Sequence, residues 1–103
     1  MKKKITAIVQ ARIGSSRLRG KVLKKINGKE TIILLLERLS KAKKISDIIV
    51  AIPNTKENDI LFKVLKKNNY KIFRGSENNV LKRYYDCAKT YKSSNILRIT
   101  GDC

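Results

Sequence analysis

The 103-residue sequence predicts an α/β protein: a three-layer, parallel sheet covered by helices on both faces. Two observations carry this. Short, nearly continuous apolar runs of strand length alternate with longer segments whose apolar residues recur every three to four positions, the pattern of β-α-β units. Parallel neighbours need right-handed crossovers, and those crossovers supply the outer layers.

Taken in order, Ile5-Thr-Ala-Ile-Val-Gln10 reads as a first strand buried on both faces. Residues 11–21 hold two glycines, two serines and four basic side chains with no apolar period, so they form a loop. Asn27-Gly28 marks a turn. From about Glu30 to Lys44, Ile32, Leu35, Leu36, Leu39 and Ala42 fall at helical spacing. Asp47–Ile52 is a second buried strand, stopped by Pro53. Asn54 or Thr55 caps a helix with Ile60, Leu61, Val64 and Leu65 on one stripe, and Asn68-Asn69 ends it. Tyr70–Arg74 is a third strand. Ser76 caps a third helix, with Val80, Tyr84, Ala88 and Tyr91 inward, and Asn95–Thr100 is a fourth strand running into Gly101-Asp102. The expected spatial order is 3-2-1-4. Strands 1 and 4 then meet at the switch point, beyond whose carboxyl ends ligands bind in sheets of this kind. A basic loop after Gln10 and an isolated carboxylate at Asp102 would face each other across one crevice. Two helices on one face and one on the other leave part of the second face bare. The sequence is therefore expected to be the front part of a longer domain, completed by a missing C-terminal portion or a second copy.

Composition excludes several classes of chemistry. There is no histidine, and Cys87 and Cys103 form no CxxC pair, which removes histidine-based triads and the usual zinc sites. Met1-Lys-Lys-Lys resembles the start of a secretory signal, but the apolar stretch after it is too short and lacks a cleavage site, so a cytoplasmic protein with no membrane partner is expected. The net charge of +17 attracts polyanions. Lysines outnumber arginines 18 to 7, and many sit on helix faces where they need only solvent. Charge alone names no partner.

The segment Gln10–Leu23, QARIGSSRLRGKVL, carries the most chemistry. Gly14 and Gly20 admit close approach of backbone amides to an anion, Ser15 and Ser16 add hydroxyl donors, and Arg12, Arg17 and Lys21 offer charge to phosphate oxygens. It is not a Walker A loop: five residues rather than four separate Gly14 from Gly20, and Val22 stands where Ser or Thr is required. Asp102, beyond a buried strand end, suits a hard metal ion.

Four segments in register extend the argument to a family. Ala11, Arg12, Ser15, Arg17, Gly20 and Lys21 match A-R-x-x-S-x-R-x-x-G-K; Val50-Ala51, Phe73-Arg74-Gly75-Ser76-Glu77 with V-L-x-R-Y at 80–84, and Arg98–Cys103 follow in order. The chain thereby resembles the cytidylyltransferases that make CMP-activated acid sugars, most closely the SpsF-type branch of spore coat polysaccharide biosynthesis. The resemblance implies a nucleotide-diphospho-sugar transferase-like (Rossmann-like) fold, CTP and a sugar as substrates, and Mg²⁺ as cofactor. It implies that Ala11, Arg12, Ser15 and Lys21 hold the triphosphate, that Arg74, Gly75 and Ser76 lie by the cytosine, and that Asp102 ligates the metal. Arg12 and Lys21 are the candidate catalytic side chains, neutralising charge as pyrophosphate leaves. The sequence departs from the family at Arg19, where Pro is usual, and at Pro53-Asn54, where an acidic or Thr-Asp pair is common. A non-catalytic basic domain that binds nucleic acid or another polyanion is the alternative, and a sugar nucleotidyltransferase using another base is a third reading.

Overall fold

The computed structural model describes residues 5–13, 23–92 and 95–100. Strand β1, Ile5–Gln10, is central: it pairs in parallel with β4, Ile45–Pro53, on one side and with β6, Ile96–Thr100, on the other. Strand β5, Lys71–Gly75, pairs in parallel with the far edge of β4, giving the order β5-β4-β1-β6. Counted by the four parallel strands alone, this is 3-2-1-4. The added detail is a separate two-stranded hairpin, β2 (Lys25–Ile26) and β3 (Lys29–Glu30), built around the turn that Asn27-Gly28 predicts. Its two-residue connection places Asn27 at φ 52° and Gly28 at φ 84°. Left-handed backbone at both central positions is what a tight hairpin with the native strand twist requires, hence Asn-Gly.

Helix α1, Thr31–Ser40, is shorter than the expected 30–44, so Ala42 lies beyond it. Helix α2, Asp59–Lys67, follows a single 3₁₀ turn, Lys56–Asn58. Its end is closed by the Tyr70 amide donating to the Leu65 carbonyl (3.1 Å) and the Asn69 amide to Lys66 (3.0 Å), with Asn69 at φ 66°. This is the paired-bond stop that asparagine tolerates almost as well as glycine. Helix α3 is Val80–Thr90. Among the described residues no helix is long and apolar enough to cross a membrane.

Alternation along the strands divides the core. Val9, Ala11, Val50 and Ile52 face α1 and α2, where Ile32, Ile33, Leu36, Leu61 and Leu65 complete one buried cluster. Ile8, Ile49 and Ala51 face α3, where Cys87 completes a smaller one. Two helices on one face and one on the other agree with the sequence. The inner stripe of α3 agrees in part, since Tyr84 and Ala88 pack against the smaller cluster. Arg83 and Cys87 are its buried residues, Tyr84 and Ala88 are half-buried, and Val80 and Tyr91 are exposed. The most deeply buried line of the helix, Arg83 and Cys87, runs one position before Tyr84 and Ala88. Leu81 and Tyr85 of α3 are exposed, and so is Leu97 of β6, which by alternation shares the face of Val9 and Ile99 toward α1 and α2.

Candidate functional site

All four parallel strands end at one edge. The register Gln10↔Thr100 sets the exits of β1 and β6 side by side, and Gln10↔Ala51 and Ala51↔Phe73 continue that line across β4 to β5. Three connections therefore leave together: Ala11-Arg12-Ile13 after β1, Asn54-Thr55 after β4, and Ser76 onward after β5. Gly14, Ser15, Arg17, Lys21 and Asp102 lie outside the described residues; Ala11, Arg12, Arg74, Gly75 and Ser76 lie within them.

The first connection is anchored at its root. The Ala11 amide donates to the Ala51 carbonyl (3.1 Å), and the Ile13 amide donates to Asn58 Oδ1 (2.8 Å). Asn58 is buried, and its Nδ2 donates to Thr55 Oγ1 (2.8 Å), so this side chain ties the β1 exit to the β4–α2 connection. Between these bonds Ala11 is buried and Arg12 exposed. The backbone thus enters the cationic loop in one orientation with a guanidinium presented to solvent.

Arg74 is drawn the other way. Its Nη1 pairs with Asp59 Oδ1 (2.9 Å), its Nη2 donates to the Thr55 carbonyl (2.6 Å), and its guanidinium lies over the Phe62 ring (5.4 Å to the centroid). It holds the β4–α2 connection through both terminal nitrogens, and only its Nε is left buried without a partner. Ser76 is not the cap of α3. Asn79 is, accepting from the Lys82 amide (2.9 Å), while Ser76 Oγ accepts from the Asn79 amide (3.2 Å) and shapes the turn before the helix. Gly75 is required by packing. A Cβ there would meet the Phe73 ring at 2.8 Å and Arg83 Cγ at 3.1 Å, closer than side chains tolerate.

The slot beside Gly75 is filled by Arg83, to which the V-L-x-R-Y motif at 80–84 assigns no role. Arg83 is 2% exposed, and its Nη1 donates to the Ser76 carbonyl (2.8 Å) while Nη2 makes a long contact with Gln10 Oε1 (3.5 Å). Among the described residues it has no carboxylate partner, and Arg83 Nε and Gln10 Nε2 are buried without any partner. Burial, with a smaller contribution from the neighbouring positive charge of Arg12, pulls the Arg83 guanidinium below its ordinary value. A guanidinium stays charged under such pressure. The edge therefore concentrates positive charge in a partly dry setting, where it acts on anions more strongly than a solvated lysine does. The signal in the sequence was small: an arginine in the line next to the apolar stripe of α3, one turn before a cysteine.

The described residues contain no group of three acidic, cysteine or histidine side chains that could hold a metal ion. Metal ligation would depend on Asp102, which lies outside the described residues. Arg98 pairs with Ile8, on the same α3 face as Gln10, and lies over the Tyr84 ring (5.4 Å).

Comparison with known proteins agrees with the geometry. The cytidylyltransferase family profile matches residues 6–103. The chain is 46% identical over 99 residues to an uncharacterized protein of Methanocaldococcus jannaschii, covering 96% of this chain and 41% of that one. It is 35% identical over 102 residues to the spore coat polysaccharide biosynthesis protein SpsF of Bacillus subtilis, covering 95% and 42%. The solved structure of a cytidylyltransferase from Leptospira borgpetersenii superposes with a TM-score of 0.89 at 37% identity, covering 96% of this chain and 42% of that one. A CMP:2-keto-3-deoxy-manno-octonic acid synthetase complexed with CTP shares the fold, with a TM-score of 0.77 at 22% identity over 96% and 40% of the two chains. The chain spans about two fifths of the length of these relatives. A profile match over nearly every residue makes this chain a member of the cytidylyltransferase family.

Proposed function

We propose that residues 1–103 form the N-terminal, nucleotide-binding part of a cytidylyltransferase that activates an acid sugar or related glycan precursor for surface polysaccharide synthesis, with CTP and Mg²⁺. The observation that carries this reading is Arg83, buried with no carboxylate partner among the described residues, near the exposed Arg12 at the shared strand exits. In this reading Arg12, Arg17 and Lys21, with backbone and hydroxyl donors from Ala11, Gly14 and Ser15, hold the triphosphate. Gly75 and Ser76 border the cytosine, and Arg74 contributes through the Pro53–Thr55 segment that it fixes. Arg12 and Lys21 offset negative charge as the sugar hydroxyl attacks the α-phosphorus and pyrophosphate leaves. Asp102 would hold Mg²⁺ together with phosphate oxygens, and the ion would supply further charge neutralisation at the phosphates. Because the relatives are more than twice as long, turnover and the sugar pocket belong to a longer polypeptide or to an assembly of copies, in the cytoplasm where CTP is made.

Titration calorimetry with CTP and Mg²⁺ tests the proposal. Binding is expected for the chain as it stands and is expected to be lost in Lys21→Ala and in Asp102→Ala; no heat from the unaltered chain removes the assignment. One observation favours the second reading, a basic module for nucleic acid or another polyanion. Lys25, Lys29, Lys63 and Lys67 line an open cleft of about 370 Å³ between the hairpin and α2. That reading predicts equal binding of any DNA or RNA with a steep salt dependence, and no preference among nucleotides.

A further inference from the structure

Arg83 joins two parts of the edge that no other described side chain connects. Gln10 is the last residue of β1, directly before Ala11-Arg12, and Ser76 is the first residue after β5. Strand β4 lies between them. By the alternation of the strands, Gln10, Ala51 and Phe73 stand side by side on the face toward α3, and Ala51 is small enough for a guanidinium to cross β4. Gly75 opens the slot for the arginine stem. An arginine this deep is ordinarily paired with a carboxylate, because breaking or omitting such a pair leaves a costly bare charge. Here the acceptors are a backbone carbonyl and a neutral amide.

We propose that Arg83 is a positioning residue: it locks the β1 exit to the β5 exit and lends its bare charge to a bound triphosphate without touching the nucleotide. This rests on the reading of the crevice as a nucleotide site. The neutral Gln10 is part of the device. A carboxylate at that position would satisfy the fold better and quench the field that an anion meets.

That opposition supplies the test, with CTP and inorganic tripolyphosphate, each with Mg²⁺, as probes in calorimetry and thermal melts run beside them. Gln10→Glu is expected to keep or raise the melting temperature while weakening both probes about tenfold, the effect of one neutralised charge in a partly buried setting. Arg83→Lys keeps the charge but cannot span Ser76 and Gln10; it is expected to hold tripolyphosphate within about twofold and to lose the preference for CTP over it. Arg83→Met removes both effects, and its melt shows whether it folds. If the unaltered chain binds and Gln10→Glu binds equally well, Arg83 serves the fold alone and this inference fails. If the unaltered chain binds neither probe, the nucleotide reading fails and takes this inference with it.

Discussion

The two faces of the sheet are built for different tasks. Toward α1 and α2, nine buried side chains form a cluster that is apolar throughout, with Leu36, Leu61 and Leu65 fully covered. Toward α3 the buried cluster has four members, all from strands β1 and β4 except Cys87, and the other large side chain at that depth is a charged arginine. The first face supplies most of the area removed from water and hence most of the stability. The second gives up apolar contact to hold Arg83, Gln10 and the Gly75 slot in register. Polar groups that act on a ligand are most effective where water is partly excluded. That exclusion lowers stability, and the apolar face offsets it.

The largest expected effect tests the division of labour directly. Leu36→Ala on the first face should lower the free energy of unfolding by about 3 kcal/mol, the usual cost of a large core truncation. Tyr84→Ala, half-buried on the second, should cost only about 1–2 kcal/mol. Urea titration of both measures the difference, and equal losses would erase the distinction. Gly75→Ala sharpens it. The added methyl has to displace the Phe73 ring or the Arg83 stem, so a loss of about 1–3 kcal/mol is expected, accompanied by weaker CTP binding. A variant that loses stability but binds CTP normally would separate the slot from the site.

The smallest effect is one of pH. Burial pushes the Cys87 thiol from 9.0 up to about 11, so the folded chain keeps this proton longer than the unfolded chain does. The stabilisation is complete below about pH 9 and is lost as pH rises toward 11, amounting to about 1 kcal/mol by pH 10. The Tyr70 phenol, raised chiefly by burial, and the Lys71 ammonium, raised chiefly by its hydrogen bond to Asp47, act with the same sign. Thermal melts between pH 8 and 10.5 should therefore fall with pH, and less steeply in Cys87→Ala. An unchanged slope would show that the second face is wet at Cys87.

Strand order, crossover faces and the Asn-Gly and Asn68-Asn69 punctuation were legible in the sequence because each follows from a local rule: continuous apolar runs, helical spacing, and residues that tolerate left-handed backbone. The family was legible because its four motifs are contiguous in sequence. What escaped were roles fixed by distant contacts. Asn58 reads as a loop asparagine, yet it serves a backbone amide 45 positions away. Arg83 reads as one more surface cation on a basic helix, and only the absent Cβ at Gly75 lets it inside. Arg74 sits in the motif that suggested base contact, yet Asp59 and the Thr55 carbonyl, neither adjacent in sequence, claim its guanidinium. Periodicity reports which side of an element is apolar. It does not report which polar group a neighbouring segment will occupy.

The bond from the Ile13 amide to Asn58 has a consequence for evolution of the loop that follows. The direction in which the chain sets out after Ala11 is dictated by a side chain in another connection, so sequence drift within residues 14–21 cannot reorient their point of departure. Replacement of Pro by Arg at position 19 is the kind of change such a scheme tolerates.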